Sequence, residues 1–262
     1  MAGADVTIAL GIPHTPWLPA RVASMARLSD DLDVGEADMF RKFSDREPNH
    51  VWSAKLWTWG LECGASHLLQ LQDDVIVMPR FWEALRAMIA AVPDRVIGLE
   101  AAHPAGRRLA RQGYRWYTTA DMLIGVGYVF PRALLEHFLH WRSTALRDGW
   151  EQEISEDTLI GLWALATRQR IFHPIPTIID HDTTIASSYG NDAHAYRNPS
   201  VTWKDCVDAS RAWRSCLAEV PHLGRFYQRT PAMAARWIRD WTTERHEVAR
   251  SDVWRGEVAD CR

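Results

Sequence analysis

Lysine is almost absent from this sequence of 262 residues. Of its thirty basic residues only Lys42, Lys55 and Lys204 are lysines, so arginine carries nearly all of the positive charge. Guanidinium groups suit bidentate contacts to phosphate, but many nucleotide-transferring enzymes instead use phosphate-binding lysines or a glycine-rich basic loop. The sequence offers neither feature, which disfavours that class, and its formal charge of -3 predicts no particular partner.

Cysteines and long apolar runs are also scarce. The four cysteines show no C-x-x-C pair and no Cys/His spacing typical of zinc ligands, so neither a zinc site nor a disulfide framework is indicated. Residues 1–17 lack a basic segment, and their apolar run is much shorter than the ~18 residues of a spanning helix. We therefore expect no signal peptide and no membrane segment, and a cytoplasmic location.

The length and the 47% hydrophobic content fit one α/β domain with an appendage. We predict a domain at residues 1–199, in which strands and helices alternate, and a helical extension at 200–262 packed on it. The predicted strands lie at residues 5–11, 67–78, 95–99 and 121–130, and before His181. The predicted helices lie at residues 19–28, 49–64 and 79–92, from 131 onward, and from 155 to about 168. Residues between 100 and 120 are predicted as a polar loop.

Two adjacent carboxylates, Asp73 and Asp74, interrupt the apolar run at residues 67–78, HLLQLQDDVIVM. Because burying an unpaired carboxylate is costly, such a pair is expected at a strand end, where water, a cation or a ligand hydroxyl compensates it. Ligands of open α/β sheets bind outside the carboxyl ends of the strands, and two acidic groups there would hold Mg²⁺ or Mn²⁺ against a substrate phosphate. The alternative is a turn, or a cap of the helix that Pro79 opens.

The loop after the first strand supplies candidate nucleotide-binding residues. In a nucleotide-binding sheet this loop faces the base and ribose, which makes His14, Thr15 and Arg21 candidates. A proline-bounded turn with no role in binding explains the same residues equally well.

Two later segments combine polar residues with helix and strand ends. Ser155, Glu156 and Asp157 open a helix, where such residues are also ordinary capping and first-turn residues. Further on, an apolar strand ends at His181, which is flanked by aspartates; a single histidine at such a place is usually structural. The loop that follows is rich in serine, threonine and glycine, with Ser187, Ser188 and Gly190 as candidate phosphate-binding residues or as parts of a flexible turn.

The order helix, strand, acidic pair, short apolar run and helix resembles the nucleotide-sugar glycosyltransferases of the GT-A fold. The chain is most similar to the family 25 type, in which an acidic triplet such as Glu-Asp-Asp follows such a strand. Here the triplet is Gln72-Asp73-Asp74, with an amide at its first position. The resemblance covers residues 5–195 and implies an α/β, Rossmann-like mixed sheet flanked by helices, with a C-terminal helical appendage.

The resemblance also implies roles for the candidate residues. Asp74, with Asp73 and His181, would hold Mn²⁺ or Mg²⁺ on the diphosphate of a nucleotide sugar. Inverting enzymes of this fold carry an x-Glu-Asp motif, matched here by residues 155–157, so Asp157 would be the general base, with Glu156 beside it. The family's Ser-x-x-Gly loop is matched at residues 187–190 and would hold the diphosphate.

The implied function is that of a metal-dependent glycosyltransferase of the inverting type that uses a nucleotide-diphosphate sugar. Its acceptor is a glycan, a protein or a hydroxymethylated base in DNA, as for some bacteriophage enzymes, which act in the host cytoplasm. Arginines alternate with aromatic residues at 107–117 and 211–241, which suits phosphates and stacked bases, although solvated helix faces over a tryptophan-containing core explain the pattern too. The alternatives are a metal-dependent nucleotidyltransferase and a non-catalytic carbohydrate-binding protein.

Overall fold

A computed structural model describes most of the chain up to residue 185 and a few residues beyond. The described residues are 6–44, 46–100, 105–120, 125–149, 154–182, 184–185, 202 and 220–223.

Strands and helices alternate along the described chain. The strands are β1 (Ile8–Pro13), β2 (Met39–Phe43), β3 (His67–Leu71), β4 (Val75–Val77), β5 (Ile97–Gly98), β6 (Trp116–Thr119), β7 (Gly127–Pro131), β8 (Ile171–Pro174) and β9 (Ile179–His181). The helices are α1 (Pro19–Leu32), α2 (Asn49–Glu62), α3 (Phe81–Ala91), α4 (Gly106–Arg111), α5 (Arg132–Ala145) and α6 (Glu156–Thr167), with a 3₁₀ turn at Val34–Glu36.

Seven strands form one mixed sheet in the order β2-β1-β3-β7-β5-β8-β6. β1 is parallel to both β2 and β3, whereas β7 is antiparallel to β3 and β5. β5 and β8 are parallel, and β6 closes the sheet antiparallel to β8. β4 and β9 pair antiparallel in a second, two-stranded sheet, with Val75 opposite His181.

Helices cover both faces of the large sheet. One apolar cluster joins the sheet to α1 and α3, for example through Leu28 and Met88, and the other joins it to α2, α5 and α6, for example through Trp57, Phe138 and Trp163. This double cover explains why all five residues of β3 are buried and why three of them are leucines, since strands buried on both faces are mostly hydrophobic. The predicted mixed α/β sheet flanked by helices is confirmed.

Several sequence predictions of elements were wrong or incomplete. β2 and β8 were not predicted, and β6 lies in the segment predicted as a polar loop. The predicted strand at 95–99 is reduced to the two residues of β5. By contrast, the predicted order of strand, acidic pair and short apolar run is present, because the acidic pair divides the run at 67–78 into β3 and β4. Among the described residues, no helix is both long and apolar enough to cross a membrane.

Most of the predicted C-terminal extension lies outside the described residues, so the division at residues 199 and 200 stays a prediction. Residues 220–223 lie along β6, where Thr118 N donates to Pro221 O and Leu223 N donates to Thr118 O, each at 2.9 Å. Leu223 also packs beside Tyr117 in a small apolar cluster. This short segment therefore extends the free edge of the sheet.

Candidate active site

The acidic turn, defined as Gln72, Asp73 and Asp74, follows the carboxyl end of β3. Gln72 N donates to Val126 O at 2.9 Å, which holds the turn to the segment before β7. On its other side, Asp182 N donates to Asp74 O at 2.8 Å, just after β9. Both aspartate side chains are buried, with 2% of Asp73 and none of Asp74 exposed, so their charges need partners within the protein.

Asp73 contacts all three of the residues in and after the first loop that were predicted to bind a nucleotide. Its Oδ2 accepts from Thr15 N at 2.8 Å and lies 3.0 Å from His14 Nδ1. Its Oδ1 accepts from Arg21 Nη1 at 2.6 Å, and Arg21 belongs to the first turn of α1. The structure therefore brings His14, Thr15 and Arg21 to the acidic turn, and their contact to a nucleotide stays a prediction.

Asp74 lies between two basic side chains. Its Oδ2 is 2.7 Å from Arg21 Nη1 and 2.9 Å from His181 Nε2. Burial alone would raise the pKa of Asp74, but the hydrogen bond and charge of His181 and the charge of Arg21 outweigh it, so the pKa lies below its ordinary value. Asp74 Oδ1 has no hydrogen-bond partner among the described residues.

A basic side chain, Arg21, fills the space between two of the predicted metal ligands. Arg21 Nη1 already contacts one carboxylate oxygen of each. Within the described ranges, no group of three or more His, Cys, Asp or Glu side chains is arranged to hold a metal ion. The metal assignment of Asp73, Asp74 and His181 stays a prediction. Ser187, Ser188 and Gly190 lie outside the described residues.

The start of α6 holds the predicted base. Ser155 is the N-cap residue, and Glu156 and Asp157 form the acidic first turn. Asp157 is half-buried; its Oδ1 accepts from Ser155 Oγ at 2.5 Å and from Thr158 N at 2.8 Å. One carboxylate oxygen is thus fixed by the helix terminus, which orients the side chain.

Glu156 points into the core instead. It is buried, and Gln70 Nε2 and the Tyr128 hydroxyl both contact its Oε1. Tyr128 also donates to Gln70 Oε1 at 2.5 Å and accepts from Trp57 Nε1 at 2.9 Å. The single proton of the Tyr128 hydroxyl thus has two acceptors within reach, Gln70 Oε1 and Glu156 Oε1.

The pKa of Glu156 agrees with this arrangement. Burial is the main cause that raises the pKa of Glu156, and the charge of Asp157 also raises it. The hydrogen bonds from Tyr128 and Gln70 lower this pKa but only partly offset the effect of burial, so it lies at about 8. Glu156 is therefore neutral at pH 7, and Asp157 is the carboxylate on the partly open side. Gln70 and Tyr128 were missed in the sequence, although a glutamine inside the apolar β3 was a detectable signal.

Gly125 connects the two motifs. Gln72 Nε2 donates to Gly125 O at 3.3 Å, and a Cβ added to Gly125 would lie 3.1 Å from Asp157 Cβ. Asp157 therefore packs directly against a residue that the acidic turn binds. The predicted donor-binding and base motifs, which are far apart in sequence, share one end of the sheet.

The predicted basic-aromatic segment at 107–117 is divided by the fold. Trp116 and Tyr117 are buried in β6, with 1% and 0% exposed, so the interpretation of these two rings as stacking surfaces for bases was wrong. Arg107, Arg108 and Arg111 are exposed on α4. In the second segment, 211–241, the structure describes residues 220–223, and the arginines and aromatic residues of the predicted pattern lie outside the described residues.

Comparison with known proteins gives structural likeness at low identity. No protein-family model matches the chain, and no curated protein does. The crystal structure of A197 from STIV is 12% identical, with 67% of this chain and 84% of that chain covered and a TM-score of 0.43. A glycosyltransferase involved in glycosylation of the major capsid of PBCV-1 is 11% identical, with 57% and 71% covered and a TM-score of 0.33.

A third structure, mannose-1-phosphate geranyltransferase from Thermus thermophilus, is 14% identical, with 65% of this chain and 74% of that chain covered and a TM-score of 0.36. Two of these three structures are transferases. Likeness at this level does not define an activity.

Proposed function

We propose that the protein transfers a sugar from a nucleotide-diphosphate sugar to an acceptor hydroxyl. The observation that carries the proposal is the contact of Asp157 with Gly125, whose carbonyl binds Gln72 of the acidic turn. This contact places a fixed carboxylate beside the end of the sheet where ligands of α/β folds bind.

The donor is assigned to the carboxyl ends of β1 and β3. These parallel strands end side by side, and the loop after β1 carries His14 and Thr15 against Asp73. At the rim of the same loop, Trp17 is 42% exposed and offers an aromatic face to a base or sugar. The acidic turn keeps this loop in place, and the open side of the loop receives the nucleotide.

Asp157 acts as the general base in the proposed reaction. It removes the proton of the acceptor hydroxyl while that oxygen attacks the anomeric carbon, which requires the carboxylate within ~3 Å of the hydroxyl. The nucleotide diphosphate leaves with the electron pair of the glycosidic bond. Attack opposite the leaving group inverts the anomeric centre, as the resemblance of residues 155–157 to the x-Glu-Asp motif implies. Glu156, being neutral and buried, does not compete for the proton.

The donor is tested by a thermal-shift panel of nucleotide-diphosphate sugars, followed by mass analysis of acceptors. One donor class should raise the unfolding midpoint, since a ligand at a hundredfold excess over its Kd stabilises the folded state by about 2.7 kcal/mol. Asp157→Asn should show the same shift in the unfolding midpoint but transfer the sugar much more slowly. Release of pyrophosphate from a nucleoside triphosphate and a sugar phosphate would instead identify a nucleotidyltransferase. Binding of free glycans without any nucleotide would identify a carbohydrate-binding protein.

The proposed acceptor to test first is a hydroxymethylated base in DNA, because α4 presents three exposed arginines. If they contact phosphates, DNA affinity should fall steeply between 50 and 200 mM salt, and Arg111→Gln should lower the slope of log K against log salt by about one. The exposed Arg95, before β5, provides the control variant Arg95→Gln, which should keep the slope. Salt-independent binding, with no sugar-sized mass increase on hydroxymethylated nucleosides, would leave a glycan or protein as the acceptor.

A further inference from the structure

We propose that the guanidinium of Arg21 takes the position of a divalent cation between Asp73 and Asp74, so that the wild-type acidic turn does not bind Mn²⁺ or Mg²⁺ and becomes a metal site only when Arg21 is removed. The inference rests on the proposed function in one respect, namely that the donor binds at the carboxyl ends of β1 and β3.

A single nitrogen bridges the two carboxylates. Arg21 Nη1 lies 2.6 Å from Asp73 Oδ1 and 2.7 Å from Asp74 Oδ2. A magnesium ion shared by these two oxygens would lie about 2.1 Å from each, in the space that this nitrogen fills. The guanidinium and a metal ion therefore exclude each other sterically, and their like charges repel in a buried site.

The remaining oxygens offer little to a cation. Asp73 Oδ2 is taken by Thr15 N and His14, and Asp74 Oδ2 also contacts His181. Asp74 Oδ1 has neither a hydrogen-bond partner nor an ion pair among the described residues. Mg²⁺ prefers six oxygen ligands, several of them waters, whereas Asp74 is fully buried.

The same contacts give Arg21 a role in the fold. Only 5% of Arg21 is exposed, and its two ion pairs join the first turn of α1 to the end of β3. Asp74 continues this chain of contacts to His181 on β9. Without the guanidinium, two adjacent buried carboxylates would repel each other. Such a pair either takes up a proton or recruits a cation.

The experiment is a titration with Mn²⁺ alone, in which free Mn²⁺ is measured by electron paramagnetic resonance, without donor or acceptor. Wild type should show no stoichiometric site, whereas Arg21→Gln should bind one Mn²⁺ per chain, and the double variant Arg21→Gln/Asp74→Asn should lose that site. Arg27→Gln is the matched control, because Arg27 lies on the same helix as Arg21 but pairs with only one carboxylate, that of Asp182, at 2.7 Å. It should gain no site.

Folding is controlled by Arg21→Lys and by circular dichroism. Arg21→Lys keeps the charge and should resemble wild type, and if Arg21→Gln unfolds without metal, Mn²⁺ should restore its spectrum. A wild-type site that Asp74→Asn removes would overturn the proposal, as would a folded Arg21→Gln that binds no Mn²⁺. Because no transfer is measured, these results stand whether or not the protein proves to be a glycosyltransferase.

Discussion

Asp157→Asn is expected to lower kcat by about 10²–10⁴-fold while the affinity for the donor changes little. The substitution removes the group that accepts the proton of the acceptor hydroxyl. It keeps an oxygen that can accept from Ser155 Oγ and Thr158 N, so the start of α6 should keep its structure. Initial rates with the donor that the thermal-shift panel identifies give kcat, and isothermal titration calorimetry gives the donor affinity.

Glu156→Gln is the matched control for this prediction, because it makes the same chemical change one residue earlier. At pH 7 its kcat should stay close to that of wild type, since the native Glu156 side chain is neutral and points into the core. If Glu156→Gln abolishes turnover and Asp157→Asn does not, the base has been assigned to the wrong carboxylate.

The second large effect concerns the stability of Glu156→Gln as a function of pH. In the unfolded chain a glutamate loses its proton above its ordinary pKa of 4.5, whereas folded Glu156 keeps the proton to about pH 8. Between these values the unfolded state binds fewer protons than the folded state, so the free energy of unfolding of wild type falls as pH rises, at up to about 1.4 kcal/mol per pH unit. Relative to wild type, Glu156→Gln should therefore gain several kcal/mol across this interval.

Urea unfolding of both proteins at several pH values measures this difference. Below pH 4.5 the difference should be constant, because Glu156 is then protonated in both the folded and the unfolded state. The exposed Glu83, which pairs with Arg80 at the start of α3, provides the control Glu83→Gln, for which the difference from wild type should vary little. A difference between Glu156→Gln and wild type that is the same at every pH would show that folded Glu156 titrates normally.

The sequence predicted elements well where hydrophobic pattern and end signals agreed. α6 has a serine cap, an acidic first turn and an apolar body, and the structure places it within a residue or two of the prediction. β2 has only Phe43 buried, while Arg41 and Lys42 are exposed, so an edge strand leaves almost no apolar pattern. β6 was not predicted because several arginines precede Trp116 and Tyr117 and make the segment polar on average. Tertiary contacts bury these two aromatic residues, and the local sequence does not show that burial.

The residues of the candidate site could be proposed from motifs, but their mutual contacts could not. Nothing in the sequence shows that Arg21 lies against both Asp73 and Asp74, because that contact depends on how α1 returns over the sheet. The opposite orientations of Glu156 and Asp157 follow from the helical rotation between neighbouring residues. Deciding which of them faces the core required the position of β7, which supplies Tyr128.

The pairing of Gln70 with Tyr128 has a consequence for how the sheet is assembled. These residues lie directly opposite each other in the antiparallel pair of β3 and β7, the seam that joins β2-β1-β3 to β7-β5-β8-β6. A slip of one residue would place Val129 opposite Gln70 and turn the Tyr128 hydroxyl to the other face, away from Glu156 and Trp57. Since unsatisfied buried polar groups are costly, this network selects one register of β3 against β7. Apolar side chains alone would discriminate only weakly between this register and a shifted one.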